Sequence, residues 1–153
     1  MAVLPRGGHN PPLAECCAVG RAPGIVSNLH RQAVCPMKIS EIRDTLKAEV
    51  LVGHDQMETT VVAGGGADLM ADVLSAVAKG AVLLTGLTTE QVLRTAKVAG
   101  VLVVVFVRGK RPDEPVIELA RSYNMPVLLT RYSLFVASGR LYMNGLRGLD
   151  GSW

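Results

Sequence analysis

From Met37 onward the apolar positions of this chain fall into regular periods, whereas the residues before it show no sustained one. Ser40 can cap a short helix through Leu46 that sets Ile39, Ile42 and Leu46 on one face. Glu49–Val52 and Thr59–Ala63 read as short strands on either side of a polar turn at Gly53-His54-Asp55. Gly64-Gly65-Gly66 then joins strand to helix as a tight turn, and the helix carries the stripe Leu69, Met70, Val73, Leu74 and Val77 and ends at Gly80 in a left-handed conformation. From Ala81 the order is strand 81–85, helix 88–99, strand 101–107, helix 113–123, strand 126–130 and helix 133–144. These strands are near-continuous Val and Leu, so both their faces should be buried, which is the mark of parallel strands covered by helices. Thr88 or Thr89 before Glu90, Pro115 in a first turn, and Gly145 after Asn144 punctuate the helices. The pattern predicts an α/β layered domain with a mainly parallel β-sheet flanked by helices.

Composition narrows this picture. A chain of 153 residues, 49% hydrophobic and 19% charged, has room for one compact domain. Five of the eight prolines and all three cysteines (Cys16, Cys17, Cys35) precede Met37. The expected organisation is therefore an irregular or disordered N-terminal extension at 1–36, the α/β domain at 37–148 and a C-terminal tail at 149–153. The odd cysteine count gives neither a disulfide framework nor metal-ligand spacing, which fits the reducing cytoplasm. The longest apolar run, Val98 to Val107, is about half of the roughly 20 residues that span a bilayer as helix, so no membrane segment is expected. Of the net charge of +3, +2 lies in residues 1–36, where Arg6, Arg21 and Arg31 face only Glu15. The remainder is nearly neutral, and nucleic acid is not an expected partner.

Candidate chemistry gathers at the carboxyl ends of the strands, where open parallel sheets hold ligands. Those ends read Thr85-Gly86-Leu87-Thr88, Arg108-Gly109-Lys110-Arg111 and Thr130-Arg131-Tyr132-Ser133. Each joins hydroxyls or cations to a following helix N-terminus, which suits a phosphate or carboxylate. The candidate ligand-binding residues are Thr85, Gly86, Thr88, Arg108, Gly109, Lys110 and Thr130; the competing reading is of ordinary caps and a solvated basic loop. Gly64-Gly65-Gly66 lacks both the Rossmann spacing and the Lys-Ser/Thr pair of a phosphate loop. Asp68 and Asp72 stand four apart, as a metal or acid–base pair would, or as complements to a helix dipole. His54 is alone in its turn, and no Ser-His-Asp or Cys-His set can be assembled in the domain. No catalytic residue, metal or cofactor is assigned. The small residues Ala137-Ser138-Gly139 allow close approach of another element, within the chain or across a dimer.

Four blocks in order, GADLMADVL (66–74), LLTGLTTEQVLRTA (83–96), VFVRGKRPDEPVIELA (105–120) and PVLLTRYSLFVASGRLYMNGL (126–146), resemble the DRTGG domain family, in particular its small stand-alone members. The resemblance covers nearly all of 37–148 and none of the first 36 residues. It implies a fold similar to the N-terminal domain of HPr kinase and a regulatory, non-catalytic module. The implied partners are a second copy in a homodimer, an anionic small molecule such as a nucleotide, and, as the alternative function, a hydrogenase or other redox enzyme complex that the chain would serve as a ligand-free interaction subunit. The name motif is altered here: Leu87-Thr88 stands for its Asp-Arg pair and Val107-Arg108-Gly109 for its Thr-Gly-Gly, so only Gly109 matches directly.

Overall fold

The computed structural model describes residues 36–76 and 79–148. The extension expected at 1–36 with its three cysteines, the tail at 149–153 and the stripe position Val77 lie essentially outside the described residues.

The elements run β1 (Met37–Lys38), α1 (Ile39–Leu46), β2 (Glu49–Val52), a 3-10 turn (His54–Gln56), β3 (Thr60–Val61), β4 (Ala63–Gly66) and α2 (Met70–Ala76). They continue with β5 (Ala81–Thr85), α3 (Glu90–Ala99), β6 (Val103–Phe106), α4 (Glu114–Ser122), β7 (Val127–Leu129) and α5 (Leu134–Met143). Five strands form one sheet in the order β2-β7-β6-β5-β4, with β4 to β7 parallel and β2 antiparallel at one edge. β1 and β3 make a separate antiparallel pair.

Two apolar layers hold the sheet. Alternate strand residues point to opposite faces, so Val82, Leu84, Val103, Val105 and Leu128 pack with Ile39, Ile42 and Leu46 of α1 and with Ala137 and Leu141 of α5. On the other face Leu83, Val104, Phe106 and Val127 pack with Val73 of α2, with Val92, Leu93 and Ala96 of α3, and with Val116, Ile117 and Ala120 of α4. Burial of each of the larger side chains is worth roughly 1.5–3 kcal/mol, which explains why strands with apolar residues at every position lie at the centre.

Local chemistry sets the element ends. α1 begins at Ile39, one residue before the cap expected at Ser40, because the Glu41 carboxylate accepts the Lys38 backbone N–H at 2.7 Å and closes the first turn from Lys38. Lys38 also reaches Glu58 at 2.7 Å, and that hydrogen-bonded carboxylate raises the pKa of its ammonium above the ordinary value. Thr89 is the N-cap of α3, Pro115 lies in the first turn of α4, and the Ser133 hydroxyl accepts the Val136 N–H at 3.3 Å to cap α5. Gly53 at φ +86° admits no side chain, since a Cβ there would lie 2.8 Å from Cα of Pro126.

The triple glycine is not the strand-to-helix turn that its composition suggests. Gly64, Gly65 and Gly66 are strand residues of β4, in register with Val82, Leu83 and Leu84 of β5. The reason is crowding: a Cβ on Gly64 would come within 3.1 Å of Leu146 Cδ2, and one on Gly66 within 3.1 Å of Leu134 Cδ1. α5 and the segment after it press against an edge strand that only glycine lets them approach. The strand read at 59–63 is accordingly two pieces, β3 and β4, on either side of Val62. Of the stripe read for α2, Val73 is buried but Leu69 and Leu74 are exposed.

Candidate functional site

β5 and β6 are paired, with Thr85 opposite Phe106, and β6 pairs in turn with β7, with Phe106 opposite Leu129. The three turns singled out in the sequence therefore emerge side by side on one rim of the sheet. Their polar groups have different fates.

Thr85 is fully buried and Gly86 is buried beside it. The Thr85 hydroxyl donates to Asp68 Oδ1 at 3.0 Å, the Gly86 N–H donates to the same oxygen at 2.6 Å, and the Leu87 N–H donates to Thr85 Oγ1 at 3.2 Å. A carboxylate of the chain itself thus occupies the end of β5. Thr130 is also buried, its hydroxyl donating to the Leu46 carbonyl at 2.7 Å and accepting the Tyr132 N–H at 3.3 Å, which ties β7 to the end of α1. Thr88 is half-buried just before the α3 cap.

Arg108, Gly109 and Lys110 form a different environment. All three are exposed, and the backbone turns through left-handed conformations at Arg108 (φ 62°) and Gly109 (φ 66°). The Arg108 N–H donates to Tyr132 O at 2.8 Å and the Gly109 N–H to Thr130 O at 2.9 Å, so these amides are consumed by the neighbouring turn. The side chains remain. Arg131, which the sequence pattern did not single out, packs beside Gly109, its Cγ 3.8 Å from where a Cβ on that glycine would sit. Arg108, Lys110 and Arg131 make no ion pair among the described residues, whereas Arg111 is bonded to Glu49. The rim therefore divides into a closed half at β5, filled by Asp68, and a cationic half at β6 and β7.

The other candidates stay apart. His54 is exposed in its 3-10 turn. Asp68 precedes α2 and bonds to β5, while Asp72 is exposed on the helix, so they do not act as a pair. No group of three His, Cys, Asp or Glu side chains that could hold a metal occurs among the described residues. No helix among them is long and apolar enough to cross a membrane.

An open groove of about 430 Å³ lies between β4 and α5. Gly64, Gly65, Gly66 and Leu84 line it on the sheet side, and Phe135 and Tyr142 on the helix side. The Arg147 guanidinium lies 4.3 Å from the centroid of the Tyr142 ring. Periodicity gave no signal for this groove, because three of its four sheet-side residues are glycines and its other wall is the outer arc of α5.

A family model described as DRTGG domain matches residues 41–143. The fold is similar to the crystal structure of the CBS and DRTGG domains of the regulatory region of Clostridium perfringens pyrophosphatase, complexed with activator, diadenosine tetraphosphate. The TM-score is 0.57 and the sequence identity 23%, over 69% of this chain and 46% of that one, so the chain spans less than half the length of that structure. No curated protein matches.

Proposed function

The chain belongs to the DRTGG domain family, and from that premise we propose that it is a non-catalytic regulatory module, working in the cytoplasm, that takes up an anionic metabolite, a nucleotide or another phosphorylated compound, on its strand-end rim. The observation that carries this reading is the convergence of Arg108, Lys110 and Arg131, three cations without acidic partners among the described residues, on the ends of two adjacent parallel strands. Exposed cations so placed bind anions through charge-assisted contacts. Thr85, Gly86 and Thr130 then have a supporting role: their polar groups bind the chain's own carboxylate and carbonyl and hold the turns from which the cations project. Thr88 flanks the site at the start of α3. The activator bound by the pyrophosphatase regulatory region makes dinucleoside polyphosphates natural first probes.

Calorimetry with mononucleotides, diadenosine tetraphosphate and acyl phosphates tests the reading. Binding is expected for at least one of them, and Arg108→Ala with Lys110→Ala should weaken it on the order of a hundredfold or more, since each such contact is worth roughly 1.5–3 kcal/mol. A panel without heat, or a binder indifferent to the double substitution, defeats it. The alternative, an interaction subunit of a hydrogenase or other redox enzyme complex, draws on the exposed apolar arc of α5, where Phe135, Tyr142 and Met143 face outward; co-purification of such a complex with the native protein would favour it.

A further inference from the structure

β4 is an edge strand whose outer side is only partly answered. The Ala67 N–H, just past β4, donates to Leu84 O at 3.1 Å, so Ala63 and Gly65 face β5 with it, while Gly64 and Gly66 turn their backbone groups outward. The Gly64 N–H donates to Arg147 O at 2.9 Å. The Gly64 carbonyl and both backbone groups of Gly66 have no hydrogen-bond partner among the described residues. Unpaired edge groups are a template for a further strand, and native sheets cover them. The Arg147 bond is the first rung of such a strand and fixes its direction. An antiparallel partner would return the Arg147 N–H to the Gly64 carbonyl, a bond that is not formed. A parallel partner places its next rungs two residues on: Leu149 N–H to Gly64 O and Gly66 N–H to Leu149 O, which pairs Gly64 with Gly148 and Gly66 with Asp150. Topology agrees. α2, α3 and α4 connect β4 to β7 across one face, and α5 returns from β7 to β4 across the other, so a strand beside β4 completes a crossover of the same hand as the first three.

We propose that the segment Leu149-Asp150-Gly151-Ser152-Trp153 continues from Arg147 and Gly148 as a sixth strand, parallel to β4, and that it is the occupant of the groove between β4 and α5. Arg147 and Gly148 already line that groove, so the segment starts inside it. At about 3.3 Å per residue these residues reach roughly 16 Å, more than the length from Gly64 to Gly66 requires. Glycine at 64, 65, 66 and 148 lets one backbone come close to the other. Alternation puts Gly148, Asp150 and Ser152 on the α5 face with Gly64 and Gly66, where Leu134, Ser138 and Leu146 leave room only for small groups. It puts Leu149 and Trp153 on the face that carries α2, where Leu69 and Leu74 are 62% and 54% exposed. The apolar residues of the segment thus fall on the side with apolar surface to cover. A foreign strand or a second copy would have to displace a chain already bonded to Gly64.

Amide hydrogen exchange followed by NMR on the full chain tests this. The Gly66 N–H should exchange on the order of a hundredfold more slowly than in an unstructured peptide, and nuclear Overhauser contacts should link Gly66 to Asp150. Leu149→Pro removes the donor to the Gly64 carbonyl and should abolish the protection of Gly66. It should also shift the emission of Trp153, the chain's single tryptophan, toward that of exposed indole. Asp150→Pro should keep both signals, because in this register the Asp150 N–H faces away from β4, and proline is accepted on the open side of an edge strand. An unchanged circular dichroism spectrum in both variants separates loss of the strand from loss of the fold. Rapid exchange at Gly66 in the full chain, protection that rises with protein concentration as pairing with a second copy would give, or an equal loss in the two variants would each overturn the proposal.

Discussion

The carboxylate of Asp68 accepts the hydroxyl proton of Thr85 at 3.0 Å, joining an exposed loop residue to a fully buried strand end 17 positions later. The same oxygen receives the Gly86 N–H at 2.6 Å. Together these bonds hold the entry to α2 on the end of β5, which matters because among the described residues of α2 only Val73 is fully buried.

Asp68→Ala removes the acceptor of both donors and leaves them with no partner at a buried strand end. Unfolding in denaturant should show a loss of about 1.5–3 kcal/mol, the scale of hydrogen bonds to a charged group. Combining it with Thr85→Val should cost less than the sum of the two single changes, since they remove one shared interaction. Strict additivity would mean that the bond contributes nothing.

Gly66→Ala puts a methyl group 3.1 Å from Leu134 Cδ1 and 3.3 Å from Ser138 Oγ, closer than ordinary contact. Overpacking costs about 1–3 kcal/mol, offset in part by the roughly 0.4–1 kcal/mol that alanine gains over glycine in the unfolded chain. A net destabilisation should appear as a lower denaturation midpoint. A higher midpoint would show that α5 can withdraw from β4 without penalty.

Arg108→Gly should hold or raise stability while removing one of the proposed ligand contacts. Its backbone sits at φ 62°, a conformation that a side chain disfavours and glycine accepts freely, and its N–H bond to Tyr132 survives the change. Thermal melts would show an equal or higher midpoint together with weaker binding of any anion found by calorimetry. A fall in the midpoint would mean that the side chain, although exposed, is structural.

Removal of residues 1–36 should leave the melting temperature within a few degrees. The sequence of that segment shows no sustained apolar period that would give a face to bury, and a terminus of that kind adds little to a core. Differential scanning calorimetry of the shortened chain tests this, and loss of cooperative unfolding would show that the domain does not begin at Met37.

Local pattern alone was enough to specify the central layer of this protein. The Val- and Leu-rich runs ending at Thr85, Val107 and Thr130 can only be buried on both faces, and the stripe of α1 can only face inward, because apolar periodicity is a local record of which surface leaves water. The four ordered blocks likewise carried the family. What periodicity does not record is which distant group covers a surface or answers a donor. Glycines disfavour strands on their own, so Gly64–Gly66 became β4 only because β5 pairs with it and α5 presses on it. Thr85 and Thr130 looked like ligand residues, yet their hydroxyls bond to Asp68 and Leu46, partners that only the fold brings near. Arg131 joined the cationic rim, and Phe135 was left facing outward, for the same reason: pairing and packing between segments far apart in the chain fix those positions, and no local pattern encodes them.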